Sequence, residues 1–205
     1  MSLKPSLSFL RIGSPSSPHT LEVWIDYLCP FSAKIVKSLD ENVLPLINQG
    51  GKYESKVQLI IRLQPQPWHG SSTYLHESAL AFGKVEPTKF WEYTTFLFEN
   101  QTAFFDIPSS GLTVVQIREK LQDLAGKVLS NPSQKSQILE LITPKTTPNG
   151  GVSVTDDLKY NIKIGRQNGI HVTPTALFDG LIDNSVSSSF GKAEWEKFFT
   201  ENVTI

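Results

Sequence analysis

Apolar positions follow two rhythms along this chain, and the switches between them mark its organisation. Leu7, Phe9 and Arg11 alternate with Ser8, Leu10 and Ile12, which predicts a short strand near the start. Leu21, Val23, Trp24, Ile25, Tyr27 and Leu28 form a dense, β-favouring run that predicts a buried strand over 21–28. Beyond Cys29-Pro30 the spacing changes. Ile35, Val36, Leu39, Val43, Leu46 and Ile47 recur near helical intervals, and Pro30 supplies the fixed φ suited to a helix start. Pro45 lacks an amide hydrogen and should kink or shorten that helix, and Gly50-Gly51 should end it. Val57 to Leu63 reads as a second buried strand, closed by a loop containing Pro65, Pro67 and Gly70.

Helical spacing then holds over 74–83, 87–100, 112–129 and 132–142, with Pro, Gly or Ser-Ser breaks between the segments. Val154 to Gln167 predicts another helix, capped by Ser153 or Thr155 and stopped by Gly169. Thr175 to Phe178 is strand-like, and Asp179-Gly180 favours a hairpin turn into Leu181 and Ile182. A last helix over 192–199 sets Trp195, Phe198 and Phe199 on one face. The order predicts one α/β domain over 1–205, with a sheet-bearing core over about 1–64 and 152–205 and a helical insertion over about 65–151. The only linker-like stretch is Thr143 to Gly151.

The 205 residues suffice for a substantial core. A net charge of -1, with the two signs interspersed, argues against nucleic acid and acidic membrane surfaces as partners. No apolar run reaches the roughly 18 residues a membrane span needs. The single cysteine excludes an intramolecular disulfide and a cysteine-rich metal site, and no metal is expected. Without a clear export signal or a disulfide, the expected location is cytoplasmic. The acid-free, serine-rich first twenty residues, with Lys4 and Arg11, leave organelle targeting open. The sequence sets no oligomeric state.

Cys29 stands between a strand end and the first turn of a helix, where unpaired N–H groups and the helix dipole favour negative charge. Thiolate, not thiol, is the nucleophile in disulfide chemistry, so this is a position suited to a reactive sulfur. Ser32, one turn in, is placed to donate its hydroxyl to that sulfur. The bland alternative for a lone cysteine is a small buried hydrophobe. Its context weighs against that alternative, because Thr173-Pro174-Thr175 precedes a late strand.

Strand, Cys-Pro-X-X, helix, then Thr-Pro-Thr entering a strand resembles the thioredoxin superfamily. Asp26-Tyr27-Leu28-Cys29-Pro30-Phe31-Ser32, together with the helical insertion, resembles the DsbA-like branch and its relatives, the kappa-class glutathione transferases and 2-hydroxychromene-2-carboxylate isomerases. The resemblance covers most of the chain. It implies a thioredoxin fold with an inserted helical subdomain and a cis peptide at Pro174 lying against Cys29. It also implies that the Thr173 backbone pairs with an extended peptide or with glutathione. Pro30, Phe31, Val172, Thr173 and Pro174 would then contact substrate, and the loop bearing Trp68 and His69 would approach the motif. His69 is a candidate to stabilise the thiolate or act as a general acid, against the alternative of a loop histidine packed on Trp68.

Departures from the family pattern carry functional information. Ser32 stands where a DsbA oxidase has its second cysteine, Phe31 where it has a histidine, and Val23 where a buried carboxylate is used in proton transfer. Kappa enzymes use serine at the position of Cys29, and Phe190-Gly191-Lys192-Ala193 does not match their Asp-rich glutathione-contacting turn. Ser32 cannot resolve a mixed disulfide, so an external thiol would have to do so.

The expected function is a one-cysteine, DsbA-like thiol-dependent oxidoreductase acting on a small thiol or mixed disulfide, with Cys29 and Ser32 as its catalytic pair. It requires no resident cofactor, and glutathione is a candidate co-substrate. The alternatives are a non-catalytic peptide-binding protein of the same fold and a glutathione transferase or isomerase. His76 and Glu77 are expected at the surface. The aromatic stretch Phe90, Trp91, Tyr93, Phe96, Phe98, Phe104 and Phe105 is expected to form helical core rather than a groove.

Overall fold

The computed structural model describes residues 3–204. In chain order they form a 3-10 helix (Pro5–Leu10), β1 (Arg11–Ile12), β2 (His19–Ile25), α1 (Pro30–Ser38), a π-helical segment (Leu39–Val43), α2 (Leu44–Ile47) and β3 (Val57–Leu63). There follow α3 (Ser72–Val85), α4 (Phe90–Glu99), α5 (Asp106–Ser109), α6 (Val114–Val128), α7 (Lys135–Ile142) and α8 (Thr155–Gln167), then β4 (Thr175–Phe178), β5 (Leu181–Ile182) and α9 (Lys192–Asn202). They group into two compact units. The first takes the chain up to Ile25, Cys29–Arg62 and everything from Val172 onward; the second takes Asp26–Leu28 and Leu63–His171.

The first unit holds a five-stranded sheet of order β1-β3-β2-β4-β5. β1–β3, β2–β4 and β4–β5 pair antiparallel, with Leu21 opposite Phe178 and Trp24 opposite Thr175. Asp179-Gly180 makes the two-residue turn between β4 and β5, both residues at positive φ (50° and 88°), as that turn chemistry requires. Asp179 also clasps the start of β2: its carboxylate accepts the Thr20 N–H at 2.8 Å and meets His19 Nδ1 at 2.7 Å. Trp195, Phe198 and Phe199 are all buried, as their shared face on α9 predicts. Phe178 meets the Phe198 ring edge-on at 5.3 Å, and Trp195 Nε1–H donates to the Ser38 hydroxyl at 2.9 Å.

Two local expectations change, and a third gains detail. Residues 5–10 form 3-10 turns rather than a strand: Pro5 starts them, the backbone kinks at Leu7, and Leu7 and Leu10 are both fully buried. β2 ends at Ile25 rather than Leu28, because the Asp26 side chain takes the Leu28 N–H at 2.8 Å and turns the chain. The long helix widens ahead of Pro45 and stops two residues beyond it, at Ile47. Leu44 N–H reaches back five residues to the Leu39 carbonyl, leaving the lost Pro45 bond at the end of a π turn. Gly50 at φ 84° and Gly51, where a Cβ would collide with the Leu46 carbonyl, then end the segment.

In the second unit α3 packs against α4, α6, α7 and α8. The stretch 155–167, expected with the sheet-bearing core, groups with these helices. Phe82 stacks on Tyr93 at 4.2 Å, and the Tyr93 hydroxyl is satisfied by Ser78 at 2.7 Å. Phe90, Tyr93, Phe98 and Phe104 are buried, so the aromatic stretch serves mainly as core. His76 and Glu77 are buried too, contrary to the surface placement expected for them. A helix wrapped by four neighbours has little free face. Glu77 resolves its burial by pairing with Arg118 at 3.0 Å; desolvation still pushes its carboxyl up, with Arg118 pulling the other way. α6 begins with a capping box that the sequence reading missed: Thr113 Oγ1 accepts the Gln116 N–H at 3.2 Å, and Gln116 returns an acceptor to the Thr113 N–H at 2.8 Å.

Candidate functional site

Cys29 is the N-cap residue of α1, with extended φ/ψ, and Pro30 follows at the first helical position. Proline there sacrifices only an amide that has no partner in a helix's first turn. The cysteine carbonyl accepts the Ala33 N–H at 3.1 Å, which fixes the residue at the head of the helix. Its sulfur is only slightly exposed, at 5 % for the residue, and donates S–H to the Thr173 carbonyl at 3.2 Å. Thr173-Pro174 is a cis peptide. The chain brings Cys29 and the Thr-Pro-Thr segment together across 144 residues, within the first unit.

The other residues of this unit fall around that contact in different ways. Ser32 is fully buried in the first turn of α1, and the sulfur donates to Thr173 rather than to Ser32. Pro30 is exposed. Phe31 and Val172 are apolar yet exposed at 57 % and 58 %, unlike core residues of their type. Lys34 Nζ lies 5.4 Å from the Phe31 ring. Thr175 Oγ1 donates to the Val172 carbonyl at 2.7 Å and stiffens the backbone on both sides of Thr173-Pro174.

Trp68 and His69 belong to the second unit, in the loop between β3 and α3. Trp68 is exposed at 60 %. His69 Nδ1 lies 2.9 Å from Asp26 Oδ2, and Asp26 is the residue whose chemistry the sequence reading left unassigned. Its carboxylate is buried and receives a donor set from the chain around it. Oδ1 accepts from Leu28 N–H at 2.8 Å and Ser72 O–H at 2.5 Å, and Oδ2 accepts from Gln66 N–H at 2.7 Å and His69. Burial alone would raise this carboxyl. The nearby His76 and the hydrogen bonds from Ser72, His69 and Leu28 outweigh it and hold Asp26 below the usual carboxylate range. An ionised carboxylate only accepts, so His69 Nδ1 carries the hydrogen. Among the described residues no hydrogen bond engages His69 Nε2. The available signal was an acidic residue closing an otherwise apolar run, where its side chain can replace strand pairing with a turn.

A second buried charge lies in the sheet. Glu22 and Arg62 are both fully buried, with Arg62 Nε donating to Glu22 Oε2 at 2.6 Å and its guanidinium carbon 5.9 Å from the Trp24 ring centre. Val23, at the position of the family's buried carboxylate, is also buried. Among the described residues no cluster of three or more metal-ligating side chains occurs, and no helix is long and apolar enough to cross a membrane.

The family model described as thioredoxin matches residues 8–193, and the chain belongs to that family. No curated protein sequence matches it. Among solved structures it resembles a candidate protein-disulfide isomerase from Pseudomonas syringae, at 25% identity and TM-score 0.73, over 94% of this chain and 98% of that one. It also resembles BdbD from Bacillus subtilis, at 18% identity and TM-score 0.66, over 95% and 92% of the two chains. A third is the thiol-disulfide exchange protein alpha-DsbA2 from Wolbachia pipientis, at 16% identity and TM-score 0.65, over 95% and 87%. The fold is therefore a DsbA-like thioredoxin fold.

Proposed function

We propose that the protein is a one-cysteine thiol-disulfide exchange enzyme acting on a small thiol or a mixed disulfide. The observation that carries this reading is the sulfur of Cys29, held at the N-cap of α1 and 3.2 Å from the Thr173 carbonyl beside Pro174. Attack by the Cys29 thiolate on a disulfide forms a new S–S bond to the sulfur attacked, and the other sulfur leaves as a thiolate that takes up a proton. Ser32 offers no second thiolate, so a thiol from solution, with glutathione the first candidate, must release the adduct. Pro30, Phe31, Val172, Thr173 and Pro174 frame the substrate in this reading, and no resident cofactor is needed. A reducing, cytoplasmic setting fits a chain that forms no internal disulfide. Family membership and the candidate isomerase function of the Pseudomonas syringae relative lend support.

Mass spectrometry after incubation with oxidised glutathione near neutral pH tests the reading. A single glutathione adduct that is lost in Cys29→Ala is the expected result, and an unmodified parent chain overturns it.

The exposure of Phe31 and Val172 favours one other reading, in which the face beside Pro174 holds an apolar extended peptide without turnover. Peptide binding that survives in Cys29→Ala, in a parent chain without exchange activity, would select it.

A further inference from the structure

Two stretches of the first unit meet at the sulfur of Cys29: the head of α1 and the Thr173 segment that leads into β4. Over 29–39 and 172–178 together the only charged side chains are Lys34 and Lys37, and the first acidic residue after the cysteine is Asp40. The two lysines differ in their partners. Lys37 lies 3.8 Å from Glu41, much as Lys192 and Lys197 of α9 lie 3.9 Å from Glu196 and Glu201. Lys34 is exposed, and no carboxylate among the described residues pairs with it; its Nζ instead lies 5.4 Å from the centre of the exposed Phe31 ring. Helix geometry bounds the distance of this cation from the chemistry. Lys34 stands about 7.5 Å along the helix axis from Cys29, and helical side chains lean back toward the N-terminus. The ammonium over the ring of Phe31 shows that lean. A tripeptide-sized adduct on Cys29 extends roughly 10 Å, so a carboxylate at its end comes within reach of the ammonium.

We propose that Lys34 sets the substrate class of the exchange reaction: small disulfides that carry a carboxylate a few atoms from the sulfur. The assignment rests on the thiol-exchange function proposed above and gives it a charge preference. Lys34 makes and breaks no bond. A thiolate at Cys29 repels an anionic disulfide, and the uncompensated ammonium offsets that repulsion and holds the carboxylate while the sulfurs exchange. Phe31 keeps the ammonium at the head of the helix rather than free in solvent. A cationic disulfide meets the same charge as a barrier.

Oxidised glutathione, whose halves are net anionic, and cystamine, whose halves are cationic, separate this role from a structural one. Second-order rates of the reduced protein with each reagent are measured at low salt for the parent, Lys34→Gln, Lys34→Glu and Lys37→Glu. The expected result is a fall of about 5-fold in the glutathione-to-cystamine rate ratio in Lys34→Glu, with Lys34→Gln between it and the parent. Lys37→Glu, one turn further from the sulfur, should leave the ratio within about two-fold of the parent. In about 1 M salt, where screening acts within about 3 Å, the ratios of all four chains should converge. A merely structural effect lowers both rates together and leaves the ratio unmoved. A ratio within about two-fold of the parent in Lys34→Glu overturns the assignment while leaving the reactive thiol in place, and so does an equal fall in Lys37→Glu, which would reflect net charge alone. A parent chain unreactive toward both reagents overturns the exchange function and this assignment with it.

Discussion

Replacing Asp26 by alanine should be among the most damaging single changes in the second unit. The carboxylate is the common acceptor of Leu28 N–H, Gln66 N–H, Ser72 O–H and His69 Nδ1–H. Hydrogen bonds to a charged group contribute about 1.5–3 kcal/mol each, but these donors share one carboxylate and their effects do not add. The loss is better taken from the groups left behind: Asp26→Ala strands polar groups at buried Leu28, Gln66 and Ser72. Breaking a buried charged network from one side costs about 3–5 kcal/mol. Against a total stability of about 5–15 kcal/mol this is roughly a fifth or more, and at about 2–4 °C per kcal/mol it lowers Tm by on the order of 10 °C. Asp26→Asn keeps the shape and one acceptor oxygen and should lose less than half as much. Urea unfolding followed by circular dichroism gives both values. A loss below about 1 kcal/mol for Asp26→Ala would show that the donors find water or other partners, and the network would not organise the loop as described.

Three further outcomes follow from the same structure. Because the folded Asp26 carboxyl lies below its ordinary value of 3.8, its contribution is complete above that pH and fades as pH falls through the lower folded value; the parent should therefore lose stability below pH 3.8 more steeply than Asp26→Asn, and parallel acid-unfolding curves would contradict the network. Arg62→Met leaves the Glu22 carboxylate buried without its 2.6 Å partner and should cost about 3–5 kcal/mol, with Glu22→Gln/Arg62→Met recovering much of it; an additive double-mutant cycle in chemical denaturation would refute the pairing. Thr113→Ala removes the α6 cap and should cost about 1 kcal/mol, read as a small fall in denaturation midpoint, and an unaffected midpoint would mean that water replaces the cap.

What was legible in the sequence was what depends on local spacing. The core strand β3, the Asp179-Gly180 turn, the helix start at Pro30 and the aromatic face of α9 each follow from a period or a turn residue within a few positions. The cis Thr173-Pro174 peptide and the nearness of Thr173 to Cys29 came from family resemblance, since no local rule joins residues 144 positions apart. What escaped depends on pairing at long range. Glu22 and Arg62 each look like an exposed charge until the sheet sets them side by side, and the Glu77–Arg118 pair hides in the same way. Asp26 escaped because its partners lie around a loop some forty residues on, where Gln66, His69 and Ser72 carry no periodic signal. His76 was misplaced because α3 is enclosed by helices whose arrangement its own sequence does not reveal.

One cysteine per chain also bears on chemical wear. A sulfenic acid formed at Cys29 finds no second thiol in its own polypeptide to condense with, so peroxide can carry it on to the sulfinic form, from which return is rare. The small opening around the sulfur, 5 % for the residue, slows that first oxidation, and thiols in the medium must cap the sulfenic acid before the second. The working lifetime of the protein is thus tied to the supply of reduced thiol around it.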